Sequence, residues 1–271
     1  MELREEIGRG AFATAHRALY QDTIVAVKVM DIGNGVQEYQ AESQILSEVR
    51  HDNIIQLYGT SKHEDKIYIV MEFAECGSLY DLLLPISEEN KIEYNLGHVV
   101  RWSLQCTRAM EYLHSHQPKI VYRDLKTPNI LLTDWGRVTK LCDFGTATRL
   151  TTEMTSVVGS AACMAPEVFE GKGYSEKCDI YSFGIVLWEM FSRKKPYDNI
   201  GPPAFRIMWD VYNGVRPPKL KNIPDCLMNL MENCWAKDTT KRPPFTELVK
   251  FFTLLDSFIP GGYEPIFESF E

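Results

Sequence analysis

Apolar residues over the first 74 positions fall in short, nearly continuous runs. Ile24-Val25-Ala26-Val27-Lys28-Val29 and Lys66-Ile67-Tyr68-Ile69-Val70-Met71 are rich in β-branched residues and read as strands. Between them, Val36 to Val49 carries apolar residues at helical spacing, so one helix interrupts the strands. After Cys76-Gly77-Ser78 the period changes. Leu96–His114, Lys177–Phe191, Pro203–Asn213 and Cys226–Ala236 read as helices, separated by loops rich in Pro, Gly and Asp. The longest apolar run, Tyr181 to Phe191, contains Ser182 and Glu189 and is too short to cross a bilayer; it predicts a buried core helix. The tail from Pro260-Gly261-Gly262-Tyr263 to Glu271 is expected to be irregular. The class is α+β: a small β-rich lobe over 1–74 and a larger, mostly helical lobe over 75–271, with a ligand cleft between them.

Composition narrows the partners. A net charge of −8 over 271 residues argues against nucleic acid, whose phosphates need a basic footprint. It leaves a nucleotide open, because a divalent cation, one lysine and backbone N–H groups can meet that charge locally. The 7 cysteines are scattered without a C-x-x-C pair and read as reduced, mostly packed thiols of a cytoplasmic protein. No export signal, lipidation signal or membrane span is visible, so no membrane partner is expected.

The chemistry lies in five short patterns in a fixed order. Ile7-Gly8-Arg9-Gly10-Ala11-Phe12 places glycines where backbone N–H groups can approach phosphate oxygens with no Cβ in the way. Lys28, in a V-A-V-K strand, supplies a cation, and Glu42 on the following helix is placed to pair with it. Tyr122-Arg123-Asp124-Leu125-Lys126-Thr127-Pro128-Asn129, then Asp143-Phe144-Gly145, then Ala165-Pro166-Glu167 complete the series. Each alone has a bland reading: a hairpin turn, a strand lysine, a solvated helix glutamate. Together they are what phosphoryl transfer needs: a carboxylate to orient the attacking hydroxyl, and oxygen ligands for Mg²⁺.

The ordered set resembles the protein kinase superfamily over essentially the whole chain, from Gly8 to Arg242. The resemblance implies a bilobal kinase fold with ATP in the cleft, its N-lobe carrying one regulatory helix. Lys28 looks like the phosphate-anchoring lysine, Glu42 its partner, Asp124 the catalytic base, and Lys126 a contact to the γ-phosphate. Asn129 and Asp143 match the Mg²⁺ ligands. The nucleotide pocket would be lined by Ile7, Gly8, Arg9, Gly10, Ala11, Phe12, Ala13, Ala15, Ala26, Lys28, Met71 as gatekeeper, Glu72 and Ala74 on the hinge, Leu131 and Cys142. Glu167 and Arg242 match a bracing pair of the C-lobe, and Asp179 a support of the catalytic loop. Lys126, two residues past Asp124, is similar to the serine/threonine pattern rather than the tyrosine-directed one.

Gly159-Ser160-Ala161-Ala162, Tyr174-Ser175-Glu176-Lys177-Cys178-Asp179 and Pro203-Ala204-Phe205-Arg206-Ile207-Met208-Trp209 are similar to the transforming-growth-factor-β-activated family of MAP kinase kinase kinases, within the tyrosine-kinase-like group, as a diverged relative. That likeness implies a MAP kinase kinase as protein substrate and leaves room for an activating adaptor on the C-lobe. It also singles out Thr152, Thr155 and Ser160 as phosphorylation sites, with Arg123 as a phosphate partner.

Four positions depart from the pattern. Ala13 replaces the third loop glycine and Ala15 the valine that covers adenine. Losing two methyl groups at roughly 0.8 kcal/mol per buried carbon weakens nucleotide binding around tenfold. Tyr122 stands at the histidine of H-R-D and is expected to stack under Phe144, in a column with Leu46 and Leu57. Cys163 stands where these relatives carry tryptophan, in a segment expected to touch substrate. These changes keep a second reading in view, a catalytically weak binding module that regulates a related kinase. Cys142, before Asp143, reads either as a cleft-facing thiol or as a packed one. With so few residues ahead of Gly8, the first strand is expected to span only Glu2 to Ile7.

Overall fold

The computed structural model describes residues 1–10, 13–32, 36–150, 154, 159–171, 173–201 and 203–267, and the side chains of 36–38 and 41 lie outside that description. Ala11, Phe12, Thr152 and Thr155 therefore fall outside the described residues.

β1 (Glu2–Arg9), β2 (Ala13–Tyr20), β3 (Thr23–Asp31), β4 (Leu57–His63) and β5 (Lys66–Glu72) form a five-stranded antiparallel sheet in the order β1-β2-β3-β5-β4, and α1 (Val36–Glu48) follows β3. The strand period of two sorts the side chains of the central pair. Val25 and Val27 join Ala18 and Val70 in a small cluster on one face. Met30, Ile69 and Met71 turn to the other face and share a core with Ile45 and Leu46 of α1 and with Val49 just beyond it. Lys28 belongs to this second set and is thereby aimed at α1. β1 runs further than expected, through Gly8 and Arg9, because both still pair across to Ala15 and Thr14. All its residues are exposed, so the sheet beneath contributes most of its support.

The C-lobe is assembled around α5 (Lys177–Ser192), buried continuously from Cys178 to Met190 as its all-round apolar sequence requires. α2 (Leu79–Leu83), α3 (Leu96–Ser115), α4 (Pro166–Glu170), α6 (Ala204–Tyr212), α7 (Asp225–Cys234) and α8 (Phe245–Phe258) surround it, with the short pairs β6 (Ile120–Val121) with β9 (Thr148–Arg149) and β7 (Ile130–Thr133) with β8 (Val138–Leu141). Reciprocal Ser78–Asp81 bonds cap α2, and Asn95–His98 bonds cap α3. α7 starts at Asp225 and stops two residues short of the expected Ala236. α8 has no counterpart among the helices expected from the sequence. Its signal is the pair Pro243-Pro244 before Phe245, Leu248 and Phe252, the three residues it buries.

The tail is irregular, as expected, but it is docked onto the C-lobe. The Ile266 N–H donates to the Trp135 carbonyl at 2.9 Å, Tyr263 Oη donates to Asp256 at 3.0 Å, and the Arg101 guanidinium lies 3.6 Å over the Tyr263 ring. Gly97 permits this. A Cβ there would run into the Pro260 carbonyl oxygen and stand 2.6 Å from the Gly262 nitrogen, both backbone atoms. Gly97→Ala should therefore destabilise the fold by about 1–3 kcal/mol, the usual cost of overpacking. The checks are a lowered unfolding midpoint and new protease cleavage between 260 and 267; an unchanged cleavage pattern would contradict the docking.

Candidate active site

Two segments converge on Lys28. Its Nζ donates to Glu42 Oε2 at 2.7 Å and to Asp143 Oδ1 at 2.9 Å. Glu42 is fully buried on α1, so its charge has to be met inside the protein. Burial alone would depress the Lys28 pKa, but the two carboxylates outweigh it and hold the amine charged, above its ordinary range. Burial would likewise raise the Asp143 carboxyl, and Lys28 brings it below the usual range. Asp143 takes a φ of 55°, a left-handed value uncommon outside glycine, and its carboxylate remains about half exposed toward the cleft. The next residue, Phe144, is buried and meets Tyr122 edge-on, with centroids 5.1 Å apart at 74°. The expected stack is thus a T-shaped contact, which aligns ring edge to ring face. Tyr122 Oη also donates to the Cys142 carbonyl, tying the catalytic loop to the strand before Asp143.

The catalytic loop hangs from Asp179 at the start of α5. This buried carboxylate accepts from the backbone N–H of Tyr122 at 2.9 Å and of Arg123 at 2.8 Å, and it meets His114 Nε2 at 2.9 Å. Arg123 is held at a φ of 70°, strain that those bonds support. Asn129 Nδ2 donates to the Asp124 carbonyl at 3.0 Å and to Asp124 Oδ2 at 3.1 Å. Lys126 Nζ lies 2.7 Å from Asp124 Oδ2. Ser160 closes the set: its N–H and Oγ donate to Asp124 Oδ1 at 3.0 and 2.9 Å, and its Oγ accepts from Lys126 at 2.8 Å. Gly159 makes that approach feasible, because at its φ of 109° a Cβ would stand 2.6 Å from the Arg123 carbonyl oxygen.

The other residues expected to contact the nucleotide lie on the strands around Lys28 and beside the Asp143 segment. Ala15 sits opposite Lys28 and Gly8, and Ala26 opposite the buried Met71. The Gly10 N–H donates to the Ala13 carbonyl at 2.8 Å. The Glu72 side chain is engaged with Lys140 at 2.9 Å. Leu131 packs from below, half-buried. Ile7 and Arg9 are exposed on β1, Arg9 paired with Glu6.

Two cysteines behave differently from their more active readings. The Cys142 thiol, on a partly buried residue, donates to the Asn129 carbonyl at 3.5 Å, and desolvation pushes its pKa far up. Cys163 is also buried and turned inward, while its backbone carbonyl accepts from Ser182. Its side chain is therefore core rather than a substrate-facing surface.

Sequence reasoning had not given Glu189 or Thr127 a role. Glu189 is buried under the catalytic loop, where Thr127 Oγ1 donates to it at 3.3 Å. Burial pushes its pKa up to about 8. A carboxyl inside the otherwise apolar run of α5 was the visible signal. Arg242, also buried, makes two bonds to Glu167 at 2.5 and 2.9 Å, the bracing pair expected of the C-lobe.

This fold and cleft define a protein kinase catalytic domain. The chain belongs to the protein tyrosine and serine/threonine kinase family, whose pattern matches residues 1–252. It is similar to Mitogen-activated protein kinase kinase kinase 7 of Homo sapiens, 48% identical over 267 residues that cover 98% of this chain and 43% of that protein. The protein of the same name in Bos taurus gives 48% identity, covering 98% and 45%. That of Drosophila melanogaster is 44% identical over 248 residues, covering 91% and 36%. The chain thus spans less than half the length of these curated relatives.

The Glu189 environment has a measurable consequence. Its folded pKa of about 8 exceeds the ordinary 4.5, so between those values the folded state holds the proton more tightly than the unfolded chain. Stability from this group is therefore complete below pH 4.5 and declines as pH rises toward 8. Glu189→Gln should abolish that decline and be more stable than wild type at pH 8 by on the order of 2 kcal/mol or more, with the two nearly equal near pH 5. Urea unfolding at the two pH values is the measurement, and parallel pH profiles would contradict the buried neutral acid.

Proposed function

We propose that this chain is the catalytic domain of a serine/threonine MAP kinase kinase kinase, moving the γ-phosphoryl of ATP onto an activation-loop hydroxyl of a MAP kinase kinase. The observation that carries the reading is the junction of Lys28, Glu42 and Asp143 beside the Asp124–Lys126–Asn129 set in one cleft. The Ser160 hydroxyl on Asp124 supports the direction of chemistry, because an acceptor hydroxyl needs the same carboxylate oxygen. Asp124 orients that hydroxyl and takes its proton. The acceptor oxygen bonds to Pγ as the bond from Pγ to the β–γ bridging oxygen breaks. Lys28 anchors the α- and β-phosphates, and Lys126 meets the charge on the transferred group.

The donors also fit Mg²⁺. Among the described residues no group of three or more His, Cys, Asp or Glu side chains could hold a metal by itself. Mg²⁺ takes one or two protein oxygens plus substrate phosphates, and Asp143 with Asn129 would supply them. Asn129 spends its Nδ2 on Asp124, which leaves its Oδ1 for a cation. Bound there, the ion supplies charge neutralisation at the phosphates.

Thr152 and Thr155 are the proposed activating phosphorylation sites. Modification of Ser160 requires its hydroxyl to leave Asp124 and Lys126. A cytoplasmic setting, consistent with the seven free thiols, and an activating adaptor on the C-lobe belong to the same reading.

Radiolabelled ATP, Mg²⁺ and a catalytically inactive MAP kinase kinase test it. Wild type should label serine or threonine of the probe and map its own phosphate to Thr152 or Thr155, while Asp143→Asn and Lys28→Met lose at least 10²-fold in rate. Labelling no greater than that of the variants would favour the regulatory binding module. The departures in the roof have a separate readout. Ala15→Val should tighten ATP binding around tenfold, by two buried methyl groups, with kcat little changed; an unchanged KM for ATP would remove Ala15 from the adenine contact.

A further inference from the structure

The turn between β7 and β8 holds a backbone that its sequence does not favour. Thr133 pairs with Val138, and between them Asp134, Trp135 and Gly136 stand in succession at φ of 53°, 59° and 83°. Glycine adopts such left-handed values freely and aspartate visits them, but the bulky Trp135 is strained there. Strain of this kind persists only where neighbouring structure holds it in place. On the inner side, Trp102 Nε1 of α3 donates to the Gly136 carbonyl at 2.8 Å. On the outer side the tail supplies the rest. The N–H groups of Ile266 and Phe267 both donate to the Trp135 carbonyl, at 2.9 and 3.4 Å. The Ile266 side chain covers the turn so closely that a Cβ on Gly136 would stand 2.3 Å from its Cγ1. Both tail residues pack partly buried on the core, and His98 Nε2 anchors the chain just before them by donating to the Glu264 carbonyl at 3.0 Å.

The same turn reaches the nucleotide side. Glu75, next to Ala74 and the expected hinge, accepts from Thr133 Oγ1 and from the Asp134 N–H, each at 2.6 Å. The Cys76 N–H donates to the Leu132 carbonyl at 3.1 Å, and the Leu132 N–H donates to the Gly77 carbonyl at 2.9 Å. The segment that follows the hinge is thus paired to β7. That strand also carries Leu131, one of the residues expected to contact the nucleotide. Any shift of the turn moves Thr133 and Asp134, and Glu75 with them.

We propose that Ile266 and Phe267 are positioning residues for the nucleotide. The tail holds the strained turn, the turn holds Glu75, and Glu75 sets the hinge against β7. The inference rests on the kinase reading above and adds a determinant of ATP affinity that touches neither ATP nor the catalytic residues.

The experiment is a rescue. Ile266→Asp puts a charge where the side chain covers the turn and should release the tail. KM for ATP should then rise at least fivefold, with kcat and KM for an inactive MAP kinase kinase within twofold of wild type. Hydrogen exchange at residues 75–78 and 132–136 should quicken in the same variant. Trp135→Gly relieves the strain, because glycine takes the same φ at no steric cost. Added to Ile266→Asp, it should bring KM for ATP back to within twofold of wild type. A merely destabilised domain would not be rescued, since Trp135→Gly removes packing rather than adding it. A KM for ATP within twofold of wild type in Ile266→Asp, or no rescue by Trp135→Gly, overturns the proposal. So does a fall in kcat with both KM values raised together. Were wild type to label no acceptor, the kinase reading itself would fail. Calorimetric ATP affinities of wild type and the two variants, in the same order or all equal, then decide the positioning role alone.

Discussion

Lys28 is a cation taken out of water, and the arrangement of both lobes follows from what it needs. Removing an ammonium from solvent costs several kcal/mol unless partners of opposite charge replace the lost hydration. Glu42 and Asp143 do so, and they come from a helix of the N-lobe and a loop of the C-lobe. Both can reach Nζ only if α1 lies close against the sheet and the Asp143 segment turns inward. The second demand forces a positive φ at Asp143, strain of about 1–3 kcal/mol that isolated chain would not hold. Burial of Phe144, in the core that also contains Leu46 and Tyr122, supplies the compensating force. Charge and apolar packing therefore select the same closed arrangement.

The C-lobe repeats this logic with the signs exchanged. Asp179 is a buried anion whose hydrogen bonds go to two backbone N–H groups and a histidine, and those bonds set the loop that carries Asp124. Arg242 is a buried cation answered by Glu167 and by two backbone carbonyls, those of Ala236 and Lys177. Glu189 takes the other route open to a buried acid: it stays protonated. Around α5, Asp179 is thus satisfied by backbone and a histidine, Arg242 is paired and Glu189 is neutral, and the first of these sets the loop that carries Asp124.

What the sequence made legible follows from range. Strand period around Val25 and Val27, helical period over Leu96–His114 and the ordered acidic and amide residues are local or combinatorial signals, and the structure assembles them as expected. The length of β1 was underestimated because pairing across to β2, rather than its own exposed side chains, sustains it. The docking of the tail depends on Gly97, whose value lies in a missing Cβ facing residues far along the chain. The edge-on contact of Tyr122 and the inward turn of Cys163 are likewise tertiary choices. α8 is a different case: its Pro-Pro start and the buried Phe245, Leu248 and Phe252 are a local signal at helical spacing.

The four departures from the kinase pattern acquire a common character once their surroundings are known. Ala13, Ala15, Tyr122 and Cys163 lie outside the set of ionised side chains in the cleft. Asp124 has contacts from Asn129, Lys126 and Ser160, and Lys28 from two carboxylates, so each charged group is held from several directions. A change at any one would leave buried partners unsatisfied, a cost of several kcal/mol. Ala13 and Ala15 are placed otherwise: they lie on β2, between β1 and β3, partly buried, where alanine in place of valine removes contact without stranding a charge. On the proposed kinase reading, affinity for the nucleotide can therefore change at Ala15 without disturbing the charged geometry that would move a phosphoryl group.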